Sequence, residues 1–304
     1  MLKKKINGLG NIFFDQKLLN FEVVLNRYKV FKEKEEDTWL WFKFIKNKYN
    51  IKLTIDIGCN VGVYTLLAAK FFKKSNILSF DASLENCQTT QKLWEINFKK
   101  KIFNSKLTTQ QAMLGNQTTS IEQIGTFSIK PGETIGTNKD RIDNFKKNNY
   151  YNVLKFPFSK IGKLQNLYIN KIHDTAIKID VDGGELPLIK GIQKSQWSEI
   201  KTIAIEVDLF EFKNLYDIIS YIHKLGFKSS HSNLEFLEFY YNRIFKKNLS
   251  YNYEFLKITN LFKKRNISKY NDKIFFNCKK LNFLEKRLDR KLNYRINDYI
   301  INKK

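Results

Sequence analysis

Cysteine, proline and methionine are scarce in this 304-residue chain, at three, three and two positions, and glycine supplies only 13. The cysteines Cys59, Cys87 and Cys278 are odd in number and far apart, which excludes a disulfide frame and fits reduced thiols better than a zinc site, so no metal is expected. No run of about eighteen apolar residues occurs, which argues against a spanning helix. The basic start Met1-Leu-Lys-Lys-Lys is followed by no apolar signal core or small-residue cleavage site, so a cytoplasmic location is expected. A Gly-Lys-Ser/Thr phosphate loop and the Gly-x-Gly-x-x-Gly turn of dinucleotide enzymes are both missing. So is the Asn/Asp-Pro-Pro-Tyr motif of amino-group methylation.

Acidic residues are also in short supply, 30 against 54 Lys and Arg, for a net charge of +24. Such a surplus suits nucleic acid, a membrane surface or a phosphorylated glycan. The same composition is abundant in Lys, Asn, Ile, Phe and Tyr and poor in Pro, Gly and Ala, as an AT-rich coding sequence would make it. The charge is therefore a weak guide to partner. Hydrophobic content of 42% and aromatic content of 15% are those of a globular chain able to bury one sizeable core.

The informative stretch is Leu53 to Gly62. An apolar run ending at Ile57 predicts a buried parallel strand, Gly58, Asn60 and Gly62 a tight turn, and Val63 to Phe72 a helix packed back on the sheet. This strand–loop–helix unit places free N–H groups at the C-terminal edge of a parallel sheet, where open α/β sheets bind nucleotides. Asp56 sits in the strand where an apolar residue is the norm. A second strand from Asn76 ends at Asp81, about where a ribose-binding carboxylate falls in such folds. With both standard phosphate turns missing, S-adenosylmethionine is the favoured ligand. Ser83 to Asn97 reads as the next helix, with Asn86 and Asn97 as surface polar positions. A third strand is expected before Gln110, and residues 113–165 read as short strands and loops crossing the pocket mouth. Within them, Lys139 to Tyr151 offers little apolar area to offset ordering.

Ile177 to Val181 predicts a further strand, with Asp180, Asp182 and Glu185 clustered at its end before a helix over Leu186 to Ile192. Three carboxylates this close raise one another's pKa and suit a general base or a cation contact. Acids at a helix N-terminus also complement its dipole, and the two readings weigh evenly. Lys178 either tunes these acids or holds an anionic acceptor, unless it is a plain charge at a strand edge, and His173 is a lesser candidate base. Lys201 to Val207 reads as a strand and Leu215 to Leu225 as an amphipathic helix. Residues 1–50 read as a helical extension, with Trp39 and Trp41 as packing residues. Residues 51–230 form the main domain and 231–304 a basic extension. Residues 241–304 hold eighteen Lys and Arg against five Asp and Glu, with helical spacing from Leu281 to Ile301.

Asp56-Ile-Gly-Cys-Asn-Val-Gly-Val-Tyr-Thr65 resembles the first motif of FkbM-type methyltransferases, usually Asp-Val/Ile-Gly-Ala-Asn-Ile/Val-Gly-x-Tyr-Thr. Lys178-Ile-Asp-Val-Asp-Gly-Gly-Glu is similar to the family's Lys-Ile-Asp-Val-Glu-Gly-x-Glu, and Ile203-Ala-Ile-Glu206 to the strand that follows. Asp182 stands for the usual Glu, Cys59 for Ala, and Phe80-Asp-Ala for Phe-Glu-Pro. The likeness covers roughly residues 51–228. It implies an α/β, Rossmann-like class I methyltransferase fold, a mostly parallel sheet with helices on both faces. It also implies S-adenosylmethionine as cofactor, with Asp56, Gly58, Asn60, Gly62 and Thr65 at the methionine end, Asp81 on the ribose, and Gln111 and Ala112 near adenine. Catalysis would fall to Asp180, Asp182, Glu185 and Lys178. The implied reaction is O-methylation of a sugar, glycan or other small molecule, as in glycan biosynthesis. Nucleic acid as acceptor is open but not favoured, and so is a nucleoside-binding protein without catalysis.

Overall fold

The computed structural model describes residues 1–34, 36–115, 120–125, 150–158, 174–181, 184–208, 217–218, 221–222, 224–231 and 271–277. His173, Asp182, the helix expected over 281–301 and most of the polar stretch from Lys139 lie outside these residues. The chain divides into two compact units, Met1–Ile205 and Glu206–Lys304. The division falls within the strand Ile200–Asp208.

The first unit opens with strands, not with the helix expected there. Residues at its start form an antiparallel hairpin, β1 (Leu2–Ile6) and β2 (Gly10–Phe14), with Leu2 opposite Phe14. Asn7-Gly8 is a hairpin turn signal, and Gly8 takes the positive φ of 85° that such a turn needs. The charged and aromatic spacing that suggested a helix throughout 1–50 holds only for α1 (Phe21–Lys34) and α2 (Glu36–Lys48). On α1, Val24, Leu25, Tyr28 and Phe31 are buried, a stripe at helical spacing. Trp41 of α2 is buried, as expected of a packing residue, and its indole N–H donates to Thr202 Oγ1 at 2.8 Å.

The core is a parallel sheet. β3 (Leu53–Ile57) is buried along its whole length and pairs on one side with β4 (Asn76–Asp81) and on the other with β9 (Thr175–Ile179). β5 (Lys106–Gln111) pairs with β4, and β10 (Ile200–Asp208) with β9. Space therefore orders these strands third, second, first, fourth, fifth by their place in the chain. In such sheets the reversal, here between β3 and β9, opens a crevice at the C-terminal strand ends. Helices carry the parallel crossovers from β3 to β4, from β4 to β5 and from β9 to β10. α3 (Val63–Phe71) and α4 (Leu84–Lys99) follow β3 and β4, and α5 (Glu185–Lys190) and α6 (Lys194–Trp197) join β9 to β10. The short strands expected over 113–165 include β6 (Met113–Gly115), β7 (Ser120–Gly125) and β8 (Tyr150–Pro157). They form a separate small sheet in which β8 pairs parallel to β6 and antiparallel to β7.

In the second unit, β11 (Lys228–His231) pairs antiparallel with β12 (Asn271–Asn277). Ile218 and Ile222, one helical turn apart, are buried there, as the amphipathic pattern predicts. Among the described residues no helix is long and apolar enough to cross a membrane.

Candidate active site

The loop after β3 is built by three left-handed residues. Gly58, Asn60 and Gly62 have φ of 76°, 49° and 79°. Asn60 tolerates this region better than most side chains do, and its Oδ1 accepts the Val61 N–H at 2.8 Å. At Gly58 the requirement is also steric, because a Cβ would overlap the Asp180 carbonyl oxygen at the end of β9. At Gly62 a Cβ would press on the Thr90 side chain of α4, whose hydroxyl donates to the Asn60 carbonyl at 3.1 Å.

Four further groups fasten this loop. The Gly58 and Cys59 N–H groups donate to the Phe80 carbonyl at 2.8 and 2.9 Å, which ties the loop to β4. Asp81, the last residue of β4, accepts the Asn60 N–H on Oδ2 at 2.7 Å. Tyr28 of α1 donates its hydroxyl to the Val61 carbonyl at 3.0 Å. From the opposite side, Lys178 Nζ donates to the Gly58 carbonyl at 2.9 Å.

Asp81 is the acid expected on the ribose. Its Oδ1 accepts the Ser83 N–H at 2.9 Å and Asn86 Nδ2 at 3.1 Å. Burial raises its pKa, and the bonds from Ser83, Asn86 and Asn60 partly offset that rise. A carboxylate offers about four lone-pair sites, and three are used here, so a further hydroxyl donor fits its chemistry. Gln111 pairs with Asp81 across β5 and β4, and its Nε2 donates to the Ala82 carbonyl at 2.9 Å. Ala112 is buried, with its N–H on the Asp81 carbonyl at 2.9 Å. Both thus stand beside the acid. Asn86 is buried against Asp81, not a surface position.

Asp56 and Thr65 lie below the loop. Both are buried, and Thr65 Oγ1 donates to Asp56 Oδ2 at 2.7 Å while Ser79 Oγ lies 2.7 Å from the same hydroxyl. Burial raises the Asp56 pKa, with Lys178 and Thr65 opposing it. Asp56 Oδ1 has no hydrogen-bond partner, since Lys178 Nζ stands 3.6 Å away, in ion-pair range only. Asp56 on β3 and Thr65 on α3 thus stand behind the loop as a buried, hydrogen-bonded pair.

The second acidic turn arrives beside the first. Lys178 pairs in register with Asp56, is itself buried, and holds Asp180 Oδ2 at 3.1 Å. It is no exposed strand-edge charge. Its ammonium also sits 4.7 Å from the Tyr64 ring centroid in the first turn of α3. Asp180 is half-buried, and Glu185 is buried at the start of α5. The groups that sequence reasoning missed are Tyr28, Tyr64, Ser79 and Thr90. Ser79, a polar residue inside an apolar strand, and Tyr64, inside the first motif, carried signals of their own.

These observations define a Rossmann-like α/β domain with a glycine-turned loop and an acid at the end of the next strand, a site suited to a nucleoside. A family model described as the methyltransferase FkbM domain matches residues 56–229, more than half of the chain. The chain belongs to this family. It is 20% identical over 164 residues to "Methyltransferase 1" of Beauveria bassiana, a match covering 50% of this chain and 63% of that protein. The chain thus spans less than two thirds of that relative's length. Among solved structures it is similar to a putative O-methyltransferase from Klebsiella pneumoniae (TM-score 0.43, 7% identity, 87% of this chain and 91% of that one). An rRNA methylase from Streptococcus thermophilus is also similar (TM-score 0.38, 9% identity, 79% and 95%).

Proposed function

We propose that the chain is an S-adenosylmethionine-dependent O-methyltransferase acting on a hydroxyl of a sugar, glycan or other small molecule. The observation that carries this reading is the meeting of two distant turns at one sheet edge, with the Gly58 carbonyl bonded by Lys178 and the Asn60 N–H by Asp81. Membership of the FkbM family supports it. Gly58, Asn60 and Gly62 give the loop its shape, Asp81 accepts from the ribose, and Gln111 and Ala112 border the base. Asp56 and Thr65 support the loop from below.

When bound, S-adenosylmethionine supplies a methyl group already activated by its sulfonium charge. The chain has then to orient an acceptor hydroxyl in line and take up its proton. Asp180, Asp182 and Glu185 are the candidate bases. Lys178 already occupies Asp180 Oδ2 at 3.1 Å, so that oxygen is not open to an acceptor hydroxyl.

The net charge of +24 favours a second reading, in which the acceptor is nucleic acid. One assay separates them. The full chain is incubated with methyl-labelled cofactor and a panel of sugars, glycolipids and RNA, at low and high salt. Label on a hydroxylated sugar or glycolipid is expected. Label on RNA alone, falling steeply with salt, would overturn the glycan reading. Cofactor binding with no label on any acceptor would make the chain a nucleoside-binding protein. Among Asp180→Asn, Asp182→Asn and Glu185→Gln, the base is the residue whose variant loses turnover and keeps cofactor affinity.

A further inference from the structure

We infer that Lys178 is the positioning residue that sets the cofactor loop, acting through the Gly58 carbonyl, and that it neither binds the acceptor nor exchanges a proton with it. The inference rests on the function proposed above and assigns this residue a role within that site.

Lys178 stands at the reversal of strand order, and its ammonium meets four separate pieces of the chain. It donates to the Gly58 carbonyl of the loop at 2.9 Å. It pairs with Asp180 Oδ2 of its own strand end at 3.1 Å and faces Asp56 Oδ1 of β3 at 3.6 Å. The Tyr64 ring of α3 stands 4.7 Å away. An ammonium has three N–H donors, and here three oxygens surround it. Its side chain is only 6% exposed and already engaged by Gly58 and Asp180, so an anionic acceptor has no path to it.

The consequence is structural and directional. Gly58 closes against the Asp180 carbonyl so tightly that no Cβ fits, and Lys178 bonds the Gly58 carbonyl in that same place. Loop and second turn are thereby registered on each other before any ligand arrives. Two carboxylates, Asp56 and Asp180, converge on this one cation. A plain charge-balancing role would be served by removing Asp56 together with Lys178, whereas a positioning role would not.

That difference supplies the test. The full chain is made as Asp56→Asn and as Asp56→Asn with Lys178→Met, the first substitution relieving the buried carboxylate that Lys178→Met would leave without its cation. Amide hydrogen exchange over residues 58–62 is measured in the free protein, beside calorimetric affinity for S-adenosylhomocysteine. The double variant is expected to exchange roughly tenfold faster in this loop than Asp56→Asn, and to bind roughly tenfold more weakly, with the strands β3, β4 and β9 still protected. Loop protection equal to that of Asp56→Asn would overturn the inference. Should the double variant fail to fold, Asp56→Asn with Lys178→Leu, which likewise lacks a donor, is read by the same criterion. Failure of the wild-type chain to bind the cofactor product would sink the proposed function, while the exchange measurement would still decide the role of Lys178.

Discussion

A methyl group added at position 58 has nowhere to go. Gly58→Ala combines a left-handed backbone with a collision against the Asp180 carbonyl, and strain and overpacking each cost about 1–3 kcal/mol. The expected loss of unfolding free energy is at least about 2 kcal/mol, read by denaturant titration, and a variant as stable as wild type would contradict the geometry. The same scale governs Asp81, whose folded pKa is raised above its ordinary value of 3.8 by burial and partly restrained by donors. A raised carboxylate favours its protonated form in the native state. Its contribution to stability is therefore complete below 3.8 and is lost as pH rises through the folded value. Asn86→Ala removes one donor to the charged form and should move the Asp81 midpoint further up. Carbonyl NMR of the labelled carboxylate checks this, and a midpoint that stays or falls would contradict it.

Among elements, the docking of the N-terminal hairpin on α4 turns on one side chain. Asn97 is buried, accepts the Phe13 N–H on Oδ1 and donates from Nδ2 to the Phe13 and Leu93 carbonyls, all at 2.8–2.9 Å. It thus completes the outer edge of β2, where the sequence pattern offered only a surface polar residue. Asn97→Ala leaves both Phe13 groups without this partner and should cost about 2–3 kcal/mol, at about 1 kcal/mol per bond. The thermal midpoint reads it, and an unchanged midpoint would contradict the docking. What the sequence could and could not disclose follows from range. β3, α3, β4 and the strand ending before Asp180 were legible because apolar runs and glycine turns are local signals. Ser83 likewise announced the start of α4, where its hydroxyl accepts the Asn86 N–H at 3.2 Å. Tyr28, Asn97 and the burial of Lys178 were not legible, because each partner lies far away in the chain and no spacing rule connects them. The hairpin was missed for a different reason. Its lysines and aromatic residues mimic a helical stripe, and only Asn7-Gly8 marks the turn.

At the scale of the molecule, the first unit gathers the β3 loop, Asp81 and the Lys178–Asp180 pair at adjacent strand ends, although more than a hundred residues separate the first motif from the second. The parallel order of strands achieves this. β3 is flanked by β4 and β9, so three C-terminal ends share one edge whatever lies between them in the chain. The surplus of positive charge belongs to the whole chain and gives this site no address of its own. On the function proposed above, this edge is one nucleoside site in which Asp81 accepts from the ligand. Calorimetric titration of S-adenosylhomocysteine into the full chain and into its Asp81→Ala variant tests it most directly. One site per wild-type chain is expected, and an affinity at least about tenfold weaker in the folded variant, a difference of about 1.4 kcal/mol. Equal affinity in the two proteins, or no heat of binding in the wild type, would contradict it.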